Sequence, residues 1–177
     1  MTNPRQLFEA RVLPHLDAAY NLARWLMRND AAAEDAVQEA SMRALRHIGT
    51  LRGDDARPWL LKIVRNTCFT ALGRLRDGPE MVEFDEAEFE AAVGAAPSTA
   101  ADPSALLQAA QTRTRVDAAL RALAPALREV VVLRELEDLS YAQIATIVEV
   151  PIGTVMSRLS RARERLRHIL SESSQGH

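Results

Sequence analysis

The middle of the chain limits the possible folds more than any other feature. Residues 77–112 contain eight acidic residues and no lysine or arginine, and they mix glycine, proline, serine and alanine without a sustained apolar period. A segment of this kind buries too little apolar surface to form a core. We therefore interpret residues 77–104 as mostly irregular, with room for one short helix at 84–93. The acidic block 77–112 is then a flexible linker between two small domains, 1–76 and 113–177.

Positive charge lies on both sides of this linker. The 177-residue chain has a net charge of −2, but residues 1–76 contain 12 basic and 8 acidic residues, and residues 113–177 contain 10 and 8. Within the second domain, residues 151–170 contain five arginines and one acidic residue. This separation of charge indicates a polyanionic partner.

Several protein classes are disfavoured. No apolar run approaches the ~20 residues of a membrane-spanning helix, and the N-terminus lacks the basic and apolar segments of an export signal. We expect a cytoplasmic protein without membrane insertion. The four histidines and the one cysteine, Cys68, show no metal-ligand spacing. We expect no metal, cofactor or catalytic residue, because the carboxylates of Glu34, Asp35 and Glu39 lack a histidine partner or a phosphate-binding loop.

Helical periodicity without β-type alternation predicts an all-α protein. In the first domain we predict helices at 5–28, broken at Pro14, at 31–48 with Asp30 as N-cap, and at 58–75. Cys68, near the edge of a buried stripe, is interpreted as a core thiol rather than a redox sensor. The residues expected to face the core are Leu16, Tyr20, Ala23, Met27, Val37, Ser41, Ala44, Leu45, Ile48, Leu60, Ile63, Val64, Thr67, Ala71, Leu72 and Leu75.

In the second domain the pattern predicts helices at 126–136, 141–148 and 152–169. Ser140 and Gln143 fit a capping box, in which each side chain bonds the other residue's free backbone donor. The residues expected to face this core are Val116, Leu120, Leu123, Leu127, Val155, Leu159, Ala162, Leu166 and Ile169. A short helix, a tight turn and a long arginine-rich helix are typical of a helix-turn-helix, whose second helix enters the DNA major groove.

The outward face of the last helix supplies candidate DNA contacts. Its centre falls on Ser157 and Glu164, flanked by Gly153, Ser160 and Arg161, where small side chains allow close approach and an arginine reaches a guanine. Arg158, Arg163 and Arg165 lie on the shoulders, where phosphates would run. The alternative is a solvated basic helix packed on a partner.

Two further surfaces attract attention in the first domain. The third helix carries Trp59, Lys62, Arg65, Asn66 and Phe69, a basic and aromatic set suited to stacking on unpaired bases. Alternatively, Trp59 and Phe69 bury against the first helix or the linker. The second helix presents an exposed methionine in a mixed-charge face, which suits a protein interface but is also common on plain surface. That face consists of Asp35, Gln38, Glu39, Met42, Arg43 and Arg46.

The ordered segments AAAEDAVQEASMRALRHIGTLRG, RPWLLKIVRNTCFTAL and LSYAQIA followed by VPIGTVMSRLSRARERL carry a resemblance. Over about residues 10–76 and 115–170 the chain resembles the extracytoplasmic-function (group 4) sigma factors of bacterial RNA polymerase, in the sigma-70 family. The resemblance implies an alternative sigma factor with a region 2-like and a region 4-like domain. It implies core polymerase, through its β′ clamp helices and β flap, promoter DNA, and an anti-sigma factor as partners.

The resemblance also implies roles for residues. Asp35, Gln38, Glu39 and Met42 would dock on the clamp helices. Trp59, Lys62, Arg65, Asn66 and Phe69 would open the minus-ten element and hold a flipped base. The minus-thirty-five element would be read by Gly153, Thr154, Ser157, Arg158, Ser160, Arg161, Arg163 and Arg165.

Two departures from the family pattern affect these implications. Glu149 stands in a turn that often holds glycine or asparagine, and Met156 and Ser160 stand where relatives often have larger or charged readers, so no promoter sequence is transferred. Two rival functions remain open. A dimeric helix-turn-helix repressor leaves the second and third helices without a role, and a sigma-like decoy that titrates an anti-sigma factor has no need of the basic third helix.

Overall fold

The structure is a computed structural model that describes residues 2–76 and 102–175, with side chains for 2–73 and 102–175. Every regular element in these ranges is helical, which confirms the all-α prediction. The helix proposed at 84–93 lies outside the described residues. The helices are α1 (Pro4–Arg11), α2 (Leu16–Met27), α3 (Asp30–Arg46), α4 (Arg57–Arg76), α5 (Pro103–Ala122), α6 (Pro125–Val131), α7 (Tyr141–Val148) and α8 (Ile152–Gln175).

The first helical stretch is broken where predicted, since a 3₁₀ turn at Leu13–His15 contains Pro14 and separates α1 from α2. The cap of the next helix was predicted one residue too late. Asn29, not Asp30, is the N-cap of α3, and its side-chain oxygen accepts a hydrogen bond from the Ala32 backbone at 2.9 Å. Asn29 has the extended backbone that a cap requires, whereas Asp30 is already helical and pairs with Arg24.

The buried face of α3 is a seam of alanines. Ala33, Ala36, Ala40 and Ala44 are its buried residues, and this seam packs between α2 and α4. The prediction that Leu45 faces the core was wrong, because its side chain is 40% exposed. Val37 and Ser41 are half-buried. Methyl side chains let neighbouring helices approach closely, so larger side chains do not fit in the seam and lie on either side of it.

Helix α4 lies at the centre of the N-terminal domain and contacts both α2 and α3. Cys68 on this helix is fully buried, and its burial raises the pKa of the thiol to about 12. The interpretation of Cys68 as a core thiol is therefore confirmed. Among the predicted core positions, Leu60, Val64 and Thr67 are buried, Ile63, Ala71 and Leu72 are half-buried, and the Leu75 side chain lies outside the described set.

Helix α5 begins earlier than the composition suggested. Asp102 caps it by accepting a bond from the Ser104 backbone at 3.2 Å, and Pro103 occupies its first turn. Residues 103–112, which we assigned to the linker, are therefore helical. The reason is local chemistry: an aspartate cap and a proline in the first turn precede a run rich in alanine, leucine and glutamine.

The last three helices form the predicted helix-turn-helix. Ser140 and Gln143 make both bonds of the capping box, at 3.0 and 3.1 Å, and α7 matches its predicted limits. Glu149 adopts left-handed backbone with φ of 59° and ends α7. The helix predicted at 126–136 is interrupted, since α6 gives way to a π-helical turn at Val132–Leu136. Helix α8 continues beyond position 169 to Gln175.

The two domains pack against each other. Helix α6 contacts α2, and α7 contacts α4. Arg128 lies at this junction, fully buried, and its guanidinium donates to the carbonyls of Leu120, Arg121 and Leu123 at the end of α5 and of Trp25 in α2, at 2.7–3.1 Å. Burial, with Arg28 and Arg121 nearby, lowers the pKa of Arg128 to about 10. One buried cation thus caps α5 and ties it to the first domain.

Candidate nucleic-acid interface

The outward face of α8 is open to solvent as predicted. Val155, Leu159 and Ala162 turn inward and are buried, so Gly153, Ser157, Ser160, Arg161 and Glu164 lie on the opposite, exposed side. The Ser157 hydroxyl bonds back to the Gly153 carbonyl at 3.0 Å. Small groups at Gly153, Ser157 and Ser160 therefore cover the centre of this face, beside the exposed side chain of Met156, and Arg161 lies one turn after Ser157. This geometry fits entry into a DNA groove.

The shoulder residues of α8 differ in how firmly they are held. Arg163 donates to the Glu135 carboxylate in the π-helical turn at 2.9 Å, and this hydrogen bond raises the pKa of the guanidinium. Arg165 is exposed, and Thr154 and Arg158 are half-buried. Arg165 can approach a phosphate directly, whereas Arg163 would share its guanidinium with Glu135 or release it.

The basic and aromatic face of α4 is only partly open to solvent. Trp59, Lys62, Arg65, Asn66 and Phe69 are all half-buried, because α7 and Glu129 of α6 lie against this side of α4. The expectation of an exposed face was therefore wrong for this arrangement of the chain. Trp59 and Phe69 pack against the hydrophobic core and are partly buried, which agrees with the burial, though not with a particular partner, in the alternative interpretation. The physical reason is that the second domain brings carboxylates to the cations of α4.

Arg65 is the centre of that contact. Its guanidinium forms a two-pronged ion pair with Glu129 of α6, with N···O distances of 2.9 and 3.1 Å. It also donates to the Asn66 side-chain oxygen at 3.3 Å and lies 4.1 Å from the Phe69 ring centroid. Three of the five residues expected to contact the minus-ten element, Arg65, Asn66 and Phe69, are thus joined into one network. Glu129 completes it, and sequence reasoning missed Glu129 because it sits in an apolar run.

Glu129 is unusual because it is an acid with no exposed surface. Burial raises the pKa of its carboxyl group, against the opposing effects of the Arg65 hydrogen bond and of the charges on Arg65 and Arg158. A charge taken out of water in this way is tolerated only when it is paired and hydrogen-bonded. The position of Glu129 therefore depends on the presence of Arg65 beside it.

The predicted protein-binding face of α3 is open. Asp35 and Gln38 are exposed, and Met42 is 62% exposed. Glu39 is half-buried and pairs with Arg43 at 2.6 Å. Leu45, which the prediction turned inward, lies three residues after Met42 and so extends the apolar part of this face. The alanine seam was the signal that could have placed it there.

No group of histidine, cysteine, aspartate and glutamate that could hold a metal ion occurs within residues 2–76 and 102–175. Within the same ranges, none of the helices is both long and apolar enough to cross a membrane.

Comparison with known families gives two matches. Residues 12–77 match the family described as Sigma-70 region 2, and residues 113–166 match Sigma-70, region 4. The ECF RNA polymerase sigma-E factor of Escherichia coli is 37% identical over 136 residues, which cover 75% of this chain and 70% of that protein. The RNA polymerase sigma-H factor of Pseudomonas aeruginosa is 34% identical over 165 residues, covering 92% and 85%.

Solved structures of sigma factors are also similar to this chain. The sigma factor RpoE of Bartonella quintana, in complex with the anti-sigma factor NepR, has a TM-score of 0.72 and 31% identity, covering 93% of this chain and 96% of that one. CnrH, in complex with the cytosolic domain of CnrY, shares the fold with a TM-score of 0.64 at 23% identity, covering 96% and 90%. The chain belongs to the extracytoplasmic-function sigma factors of the sigma-70 family. As such it binds core RNA polymerase and directs initiation at a subset of promoters.

Proposed function

We propose that three surfaces of this chain divide the work of a sigma factor. The exposed face of α3, with Asp35, Gln38, Glu39 and Met42, docks on the polymerase β′ clamp helices. Helix α4 opens the minus-ten element, and α8 reads the minus-thirty-five element. The observation that carries the proposal is the outward face of α8, where small residues and arginines share one solvent-exposed side. A surface helix without a nucleic-acid partner has no need of that combination.

The remaining parts of the proposal concern control and chemistry. An anti-sigma factor holds the chain inactive, by analogy with the Bartonella quintana relative, which was solved with such a factor. The C-terminal domain also contacts the β flap. The chain acts in the cytoplasm and has no catalytic activity of its own, so the polymerase supplies all of the chemistry.

Run-off transcription tests this function directly. Core polymerase is supplied with genomic fragments, with and without the purified chain, and the transcripts are mapped. We expect new start sites only when the chain is present. A matched variant, Met42→Lys, places a charge in the apolar part of the α3 face and should weaken co-migration with core polymerase, whereas Gln6→Lys on exposed α1 should not. The absence of any start site that depends on the chain would contradict the proposal.

The role of α4 has its own test. Trp59→Ala or Asn66→Ala should impair promoter opening more than closed-complex binding, because base contacts form only after the strands separate. Permanganate reactivity of promoter thymines measures opening, and gel retardation measures binding. Unchanged thymine reactivity would defeat the assignment.

The two rival functions make different predictions. A dimeric repressor would bind a palindromic operator without polymerase. A decoy would bind an anti-sigma factor and leave promoter thymines unreactive.

A further inference from the structure

The basic surface of α4 is already occupied in this structure. Glu129 of α6 holds the Arg65 guanidinium with two bonds, and Glu149, at the end of α7, pairs with Lys62 at 3.2 Å. Both cations belong to the surface proposed to contact minus-ten DNA. Both carboxylates belong to the other domain.

These contacts use the same donors that DNA would need. A guanidinium recognises a carboxylate and a phosphate through the same pair of parallel N–H donors. Arg65 retains 18% of its side-chain exposure, and Glu129 retains none. A phosphate or a flipped base cannot reach this part of Arg65 while Glu129 is in place. A carboxylate of the second domain therefore occupies the position on α4 that a DNA phosphate would take.

In the packed arrangement the two DNA-contacting helices also lie too close together to reach both promoter elements. The minus-ten and minus-thirty-five elements lie about 25 base pairs apart, which is about 85 Å of duplex at 3.4 Å per base pair. Helix α7 touches α4 in this structure, and α8 follows α7 after a short turn. The two DNA-contacting helices cannot occupy both elements until the domains separate.

We propose that the packed chain is an autoinhibited state, in which Glu129 and Glu149 of the second domain occupy the nucleic-acid contacts of Arg65 and Lys62. This inference rests on the proposed role of α4. In the packed state the free chain binds single-stranded DNA weakly through α4. Separation of the domains exposes Arg65, Asn66 and Phe69 together, because one network holds all three.

A further interdomain contact lies away from this surface. Asn21 of α2 donates from its side-chain nitrogen to the Glu137 carboxylate at 2.8 Å. Asn21 is not part of any proposed DNA or polymerase contact, so its substitution changes the packing of the domains without removing a DNA contact. Asn21→Asp places two carboxylates together and favours the open state. Asn21→Lys creates an ion pair and favours the closed state.

The test compares the free full-length variants. Fluorescence anisotropy with a labelled 12-nucleotide oligothymidylate measures access to α4, and small-angle X-ray scattering measures separation of the domains. We expect Asn21→Asp to bind the oligonucleotide about ten-fold more tightly and to have a larger radius of gyration, because two facing carboxylates repel each other and oppose close packing of the domains. Asn21→Lys should bind more weakly than the wild type.

Controls keep the result specific. Gln6→Asp and Gln6→Lys make the same charge changes on exposed α1 and should leave affinity and size unchanged. Glu149→Gln removes a second interdomain contact at a 58% exposed side chain, so it is expected to fold and should also raise affinity. Retained helicity by circular dichroism checks that each variant is folded.

The opposite results would overturn the inference. They are an unchanged radius of gyration in both Asn21→Asp and Glu149→Gln, or an expanded chain with no gain in oligonucleotide affinity. Since polymerase is absent, failure here is distinct from failure of the proposed function, which run-off transcription reports.

Discussion

Replacing Arg128 by methionine tests the clearest energetic feature of the structure. The guanidinium is fully buried and donates to four backbone carbonyls, three of them at the end of α5 and one in α2. Methionine fills a similar volume but donates nothing. The four carbonyls then lose a charged partner in a place that water does not easily reach.

The expected loss follows from these contacts. A hydrogen bond to a charged group contributes about 1.5–3 kcal/mol, and the favourable interaction with a helix C-terminus contributes up to about 2 kcal/mol. The full sum is not lost, because the Leu120 carbonyl also accepts a bond from the Leu123 backbone at 3.2 Å, and because removing a buried charge removes its desolvation penalty. We expect Arg128→Met to lower the free energy of unfolding by about 3–5 kcal/mol, a large share of the 5–15 kcal/mol typical of a domain.

Urea unfolding followed by far-ultraviolet circular dichroism measures this loss. Arg128→Lys keeps the charge but not the planar set of donors and should lose nearly as much, whereas Arg113→Met on exposed α5 should change stability by about 0.5 kcal/mol or less. A loss below about 1 kcal/mol in Arg128→Met would refute the reasoning.

Three further outcomes are expected. Arg161→Ala should weaken promoter binding selectively by about 1–3 kcal/mol, while Arg165→Ala should weaken all DNA sequences alike and reduce the salt dependence, and equal losses on specific and random DNA for both variants would contradict the assignment. Cys68, with a thiol pKa of about 12 and no exposed surface, should react with a disulfide reagent at pH 8 only as fast as the chain opens, so rapid labelling of the native chain would show that the site is accessible. Burial raises the pKa of Glu129 above its ordinary 4.5, so the folded chain holds this proton more tightly than the unfolded chain. The free energy of unfolding of the wild type relative to Glu129→Gln should therefore be greatest below pH 4.5, fall as the pH rises through the raised pKa, and level off above it. A difference between the two proteins that does not change with pH would argue against this.

Local chemistry predicted the elements of this fold well. The capping box at Ser140 and the break at Pro14 each depend on a few neighbouring residues, and each occurs in the structure. Two errors were local, because the caps at Asn29 and Asp102 were not recognised, and the error at Leu45 arose from packing. The alanine seam of α3 packs against α2 and α4 and turns Leu45, which belongs to an adjacent apolar stripe, outward.

The candidate site divides in the same way. The exposed side of α8 follows from its own apolar spacing, which is a property of one helix. The burial of Arg65 depends on Glu129, 64 positions away in the sequence and in another domain. An ion pair between residues so far apart in the sequence forms only when the two domains pack in this arrangement. The sequence therefore indicated the cations of α4 but not the carboxylates that cover them.

The alanine seam also has a consequence for how this helix tolerates mutation. Alanine is the smallest side chain with a β-carbon, so Ala33, Ala36, Ala40 and Ala44 have almost no freedom to vary: anything larger collides with α2 or α4, and glycine loosens the helix. The opposite side of α3, around Met42, has no such neighbour within the described chain. A saturation library of α3 screened for folding alone should therefore show near-invariant positions every three or four residues, with permissive positions between them.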